Sequence, residues 1–188
     1  MKKAQLELAL RVAGEVARDT DFIVFGSQSI LGTVAKPPKD CLLSMELDLY
    51  LRRHPQAMSL IIARLGARSA FAKKEGFFVD CVTPDLAAFP DGWTERLTPF
   101  RTRRSGGVTG WCADLHDVAA SKLAAGRAKD LDYVRALLAA KLVKPLVLEN
   151  RIATLPLHPS RIDAALALVE RLNREARARN KSERKKQA

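Results

Sequence analysis

The segment Phe22-Ile-Val-Phe-Gly-Ser27, followed after a loop by Ser44-Met-Glu-Leu-Asp-Leu-Tyr50, decides how this chain reads. The first stretch is a short apolar strand that runs into a Gly-Ser turn and then Gln28-Ser-Ile-Leu-Gly32. The second alternates Met45, Leu47 and Leu49 with Glu46, Asp48 and Tyr50, the period-2 pattern of a half-buried strand. Side chains two residues apart on a strand share a face, so Glu46 and Asp48 point the same way. Gly26 can adopt backbone angles closed to other residues and lets a phosphate approach the main chain. Ser27 is placed to cap a short helix over 28–34 whose first amides face an anion. A Gly-Ser turn beside paired carboxylates has the makings of a phosphate cradle next to a divalent-metal site.

Outward from this centre, helical spacing of Leu6, Ala9, Leu10, Ala13, Val16 and Ala17 predicts an amphipathic helix over 3–18. Lys36-Pro-Pro-Lys-Asp40 reads as a loop. A helix from His54-Pro55 to about Leu65 is expected to turn Met58, Ile61, Ile62 and Leu65 inward. Phe77-Phe-Val-Asp-Cys-Val82 is a further strand, with Asp80 in phase with Phe78 and Val82. A strand over 97–102 precedes a basic, glycine-rich hairpin tip, Arg101-Thr-Arg-Arg-Ser-Gly-Gly107, expected to be flexible. Trp111-Cys-Ala-Asp114 leads into a helical region with Asp114 or Asp117 as its cap, interrupted at Gly126 and continued over 129–142. A short helix after Pro145 and a last one over about 159–177 complete the chain. The fold class is α/β (α+β): a small mixed sheet flanked by helices, with a helical C-terminal half. The expected organisation is an α/β core over 1–112, a helical part over 113–178 and a basic flexible tail over 179–188.

The composition agrees. The chain has 188 residues and 47% hydrophobic content, enough for a sizeable core. Its net charge of +11 and pI near 10.0 favour an anionic partner: nucleic acid, nucleotide or an acidic protein. Cys41, Cys81 and Cys112 are odd in number and far apart, which supports neither a disulfide framework nor a zinc knuckle. The N-terminal stretch lacks the apolar core of a signal peptide, and no apolar run is long enough to span a bilayer. The expectation is a cytoplasmic protein of bacterial type, without a membrane partner.

Each candidate group has a plainer alternative. Glu46 and Asp48 suit Mg²⁺ or Mn²⁺, because a cation relieves their mutual repulsion; a solvent-facing strand edge is the commoner setting. Asp80, flanked by Phe78, Val79 and Val82, needs a partner if buried, and is unremarkable if exposed. Lys122, on the helix Ser121-Lys-Leu-Ala-Ala-Gly-Arg127, can meet a triphosphate as a point charge, and Arg127 can bind phosphate bidentately. Asp130 is placed to orient either cation, or simply to pair with Arg127 on a helix surface. Arg101, Arg103 and Arg104 offer a nucleic-acid contact, or a solvated hairpin. No Ser-His-Asp set is identifiable, and the Gly-Ser segment lacks the ending of a P-loop.

The order of elements resembles the polymerase-β-like nucleotidyltransferase superfamily, and within it the bacterial nucleotidyltransferase-like proteins of abortive-infection and toxin–antitoxin type. It is also similar to an uncharacterised bacterial family with the composite pattern GSQ-x-ILG, SME-x-DLY, FPDGW-x-x-RL, GWC-x-x-x-HD and SK-x-x-AGR-x-KD, over residues 22 to about 140. The resemblance implies that Gly26 and Ser27 hold nucleotide phosphates. It implies that Glu46, Asp48 and Asp80 bind Mg²⁺ or Mn²⁺, Lys122 contacts the triphosphate and Asp130 completes the site. The implied reaction moves NMP from an NTP to a hydroxyl of RNA, tRNA included, or of a protein, in a toxin-like role with a cognate antitoxin. Glu46 departs from the aspartate usual at its position and adds a methylene of reach. A catalytically degenerate protein that binds nucleic acid or a partner is the alternative.

Overall fold

A computed structural model describes residues 1–187 of the chain, and Ala188, the end of the expected tail, lies outside the described residues. The side chains of residue 180 and of residues 182–187, also in that tail, are likewise outside the description. The chain divides into two compact units, one of Met1–Leu86 with Thr94–Asp114, the other of Ala87–Trp93 with the residues from Leu115 onward.

The first unit is built on a mixed five-stranded sheet in the order β3-β2-β1-β5-β4. Its strands are β1 (Asp21–Val24), β2 (Glu46–Leu51), β3 (Phe78–Cys81), β4 (Thr98–Phe100) and β5 (Thr109–Cys112). β1 runs antiparallel to β2 and parallel to β5; β2 and β3 are parallel, and β4 and β5 form an antiparallel hairpin. β2 alternates half-buried Glu46, Asp48 and Tyr50 with buried Leu47, Leu49 and Leu51, as its period predicts. Met45 lies before the strand and is exposed. β5 is a departure from the sequence reading, which carried Trp111 and Cys112 toward the helical region. They belong to a strand between β1 and β4, with Gly110 and Cys112 buried and Thr109 and Trp111 half-buried.

Helix α1 (Lys3–Ala17) buries Leu6, Ala9, Leu10, Ala13 and Ala17, and Arg18 ends it in the left-handed conformation. A Cβ on Gly110 would lie 2.9 Å from Leu10 Cδ1, so α1 sits tightly on β5. Ser27–Ser29 form a 3-10 turn leading into α2 (Ile30–Thr33); Gly26, not Ser27, occupies the cap position. Gly32 of α2 packs on the same sheet face, where its Cβ would meet Cys112 Sγ at 2.3 Å. Helix α3 (Met58–Leu65) buries Ile61 and Leu65, but Ile62 is exposed and Met58 half-buried, so its inward face is narrower than expected. A further helix, α4 (Ala70–Glu75), lies between α3 and β3. Ser69 caps it by accepting from the Ala72 amide, and left-handed Gly76 closes it. Ser and Gly at those two places are its only sequence signal.

The β4–β5 connection is an ordered turn, Arg103–Ser105, where a flexible tip was expected. Buried Ser105 Oγ donates to the carbonyls of Thr102 (2.9 Å) and Val108 (2.8 Å), and the Thr102 hydroxyl accepts from the Ser105 amide.

The second unit is helical: α5 (Leu115–Ala125), α6 (Ala128–Ala139), α7 (Pro145–Ala153) and α8 (Pro159–Gln187). Gly126, at φ +67°, separates α5 from α6, and α6 stops short of Leu142. Asp114 directly precedes α5. Asp117 lies in the first turn of α5, fully buried and ion-paired with Arg151 at 3.2 Å. His116 accepts the Lys144 amide at Nε2, and His158 Nδ1 meets Ser160 Oγ at the start of α8. Among the described residues, no helix is long and apolar enough to cross a membrane.

Candidate metal and nucleotide site

In a sheet, residues paired across strands face the same way. Asp48 pairs with Asp80, and Glu46 with Phe78, so the three acids stand on one face, opposite the face that α1 and α2 cover. One carboxylate oxygen from each of Glu46, Asp48 and Asp80 lies within 4.8 Å of the others, and all three residues are half-buried. Three hard oxygens at such separations repel one another when ionised and match the donor set of Mg²⁺ or Mn²⁺. The donor set therefore fits a divalent cation. The longer side chain of Glu46 does reach the cluster.

Local contacts hold the acids. The amide of Cys81 donates to Asp80 Oδ1 (2.9 Å) and orients that carboxylate. The amide of Phe25 donates to the Asp48 carbonyl (2.9 Å), extending the β1–β2 ladder to the turn. Gly26 follows at φ 63°, ψ −159°, a conformation reserved for glycine, and a Cβ there would fall 2.1 Å from Asp48 Oδ2. Ser29 Oγ donates to the Gly26 carbonyl (2.9 Å). Buried Gln28 donates from Nε2 to the Ser44 carbonyl (3.2 Å), and Ser44 Oγ accepts the Glu46 amide (3.2 Å). The Gly-Ser turn is thus tied to both ends of the acid-bearing strand segment.

In the second unit, Asp130 is fully buried between two cations. Lys122 Nζ lies 2.6 Å from its Oδ1 and Arg127 Nε 2.5 Å from its Oδ2. Lys122 also stands over the Tyr133 ring, 5.1 Å from the centroid. Burial opposes ionisation of Asp130, but the hydrogen bonds from Arg127 and Lys122 outweigh it and hold the carboxyl below its ordinary range. The i,i+3 pair of Arg127 with Asp130 that the sequence allowed is present, but its carboxylate is buried and is shared with Lys122.

The structure thus groups Gly26, Ser27, Glu46, Asp48 and Asp80 in the first unit, and Lys122, Arg127 and Asp130 in the second. Arg101, Arg103 and Arg104 are exposed around the β4–β5 turn and form no ion pair among the described residues. Exposed Arg11 of α1 joins them: a Cβ on Gly106 would lie 3.0 Å from its Cγ. The cysteines are buried, free thiols, each pushed up to about 12, chiefly by burial.

Two arrangements escaped the sequence reading. Asp117–Arg151 carried no signal beyond a charged pair distant in sequence. Asp21 accepts the Trp111 indole N–H (2.9 Å) and pairs with Arg53 (2.5 Å), contacts for which the sequence carried no signal.

No curated protein and no solved structure matches the chain. A family model does, over residues 4–163, most of the chain. With the carboxylate cluster and the Gly-Ser turn in view, the chain belongs to the family described as "Nucleotidyltransferase of unknown function (DUF6036)".

Proposed function

We propose that this protein is a divalent-metal-dependent nucleotidyltransferase that moves NMP from an NTP to an acceptor hydroxyl. The observation that carries the reading is the convergence of Glu46, Asp48 and Asp80 within 4.8 Å beside Gly26. Gly26 and Ser27 bind the nucleotide phosphates through the turn backbone; in the second unit, taken by itself, Lys122 and Arg127, both fixed by Asp130, offer charge of the kind that binds phosphate. Mg²⁺ or Mn²⁺ bound by the acids would polarise the phosphoryl oxygens and favour the alkoxide form of the attacking hydroxyl. That hydroxyl forms a bond to the α-phosphorus, the bond from the α-phosphorus to the bridging oxygen breaks, pyrophosphate leaves with the electron pair, and the hydroxyl proton passes to solvent.

Calorimetric titration with each NTP in the presence of Mg²⁺, wild type beside Asp48→Ala, tests this. Metal-dependent binding that the substitution destroys supports it; no NTP binding at millimolar concentration removes it.

A second reading, nucleic-acid binding without transfer, is supported by Arg101, Arg103 and Arg104, which form no ion pair among the described residues, with Arg11 alongside. It requires RNA binding that weakens with salt and survives Asp48→Ala, with no label transferred from NTP.

A further inference from the structure

The acid-bearing face of the sheet also carries two aromatic side chains that the reaction has not used. Tyr50 follows Asp48 by two residues on β2 and so shares its face, about 7 Å further along the strand. Ile23 pairs with Tyr50 on one side and with Trp111 on the other, which places both rings on that face, flanking a buried aliphatic residue. Both residues are half-buried. Neither is loose. Tyr50 packs on Phe25, with centroids 6.3 Å apart, and the Trp111 indole N–H is held by Asp21, whose other oxygen pairs with Arg53. The Tyr50 hydroxyl has no hydrogen-bond partner among the described residues and is available to a ligand.

We propose that Tyr50 and Trp111 form a platform on which an unpaired base of a polynucleotide acceptor stacks beside the metal-binding acids. This rests on the carboxylate site proposed above and names its acceptor class. Direction decides between the acceptor and the NTP base. Gly26, the phosphate turn, adjoins Asp48 at the C-terminal end of β1, whereas the platform lies back along β1 at Ile23. Continuing the same way leads to Asp21 with Arg53, whose side chain is 60% exposed. A single strand laid along this path meets flat rings and then the Arg53 guanidinium. Bases of any identity stack on such rings, while arginines follow the backbone.

The test uses Trp93→Phe protein, in which Trp111 is the only tryptophan. A single-stranded oligoadenylate is titrated in by fluorescence, beside the same strand in duplex form and beside Mg²⁺ with ATP. The proposal expects saturable quenching by the single strand and little by the duplex. It also expects roughly tenfold weaker oligonucleotide binding in Trp111→Leu, partly recovered in Trp111→Phe, with ATP binding by calorimetry unchanged. Tyr50→Leu provides an independent variant should Trp111→Leu fold poorly. Oligonucleotide binding indifferent to both leucine variants, no oligonucleotide binding at all, or quenching by ATP in place of the single strand would overturn it. Quenching by the single strand with no metal-dependent ATP binding in the wild type would instead keep the platform and remove the transferase reading.

Discussion

Gly26 lies directly against the carboxylate of Asp48, so close that a Cβ at position 26 would fall 2.1 Å from Oδ2. The glycine thus serves two physical needs: its backbone conformation at φ 63°, ψ −159°, and the space in which the Asp48 carboxylate rests. Replacement would cost on the order of 1–3 kcal/mol in backbone strain and would also push Asp48 aside. Gly26→Ala is expected to leave a folded protein whose Mn²⁺ affinity falls at least about tenfold, since misplacement near 1 Å is enough to impair such a site. Titration followed by the electron paramagnetic resonance of free Mn²⁺ measures it; wild-type affinity would disconnect the turn from the acids.

Glu46 reaches the cluster from the position where the resemblance leads one to expect aspartate. The strand register sets that reach, because Glu46 pairs with Phe78 while Asp48 pairs directly with Asp80. Glu46→Asp is therefore expected to weaken Mn²⁺ binding, not restore it, and Asp48→Asn to weaken it more. Tighter binding by Glu46→Asp would show that the extra methylene is a defect.

Lys122 and Arg127 both bind Asp130, but their side chains are 13% and 63% exposed, and the energies should follow burial. Lys122→Met removes one partner of a buried charge and should destabilise by about 3 kcal/mol. Arg127→Ala, at a solvent-screened position, should cost under about 1 kcal/mol. Urea unfolding compares them, and equal losses would contradict the burial argument.

The depressed carboxyl of Asp130 also dictates a pH dependence. A group whose folded pKa lies below its unfolded value of about 3.9 stabilises the fold fully above that value and loses the contribution as pH falls through the folded one. Wild type should therefore lose stability more steeply than Asp130→Asn below about pH 4. Parallel stability curves for the two proteins over that range would contradict it.

Arg103 and Arg104 project from a turn that Ser105 and Thr102 hold in place. If they contact phosphates, Arg103→Ala and Arg104→Ala should each lower the salt slope of RNA binding by about 1, without changing metal-dependent NTP binding. Filter binding from low to moderate salt reads the slope.

Much of the site was legible in the chain because its signals are local. Period-2 alternation needs only neighbouring residues, so it placed Glu46, Asp48 and Tyr50 on one face and set Asp80 in phase with Phe78. The glycine turn, the arginine cluster and the break at Gly126 are likewise chemistry of adjacent residues. β5 was missed because Gly110, a poor strand former, stands at its centre, and only the packing of Leu10 and Val24 against that glycine explains why a side chain there would be crowded. Tertiary structure alone decided that strands distant in sequence pair Asp48 with Asp80 and that Glu46 reaches them. It alone buried Asp130 between its two cations and joined Trp111 to Asp21 across 90 residues. The reason is physical: strand periodicity says which way a side chain points, but the register and burial that say what it meets are set by pairing and packing between segments far apart in the chain.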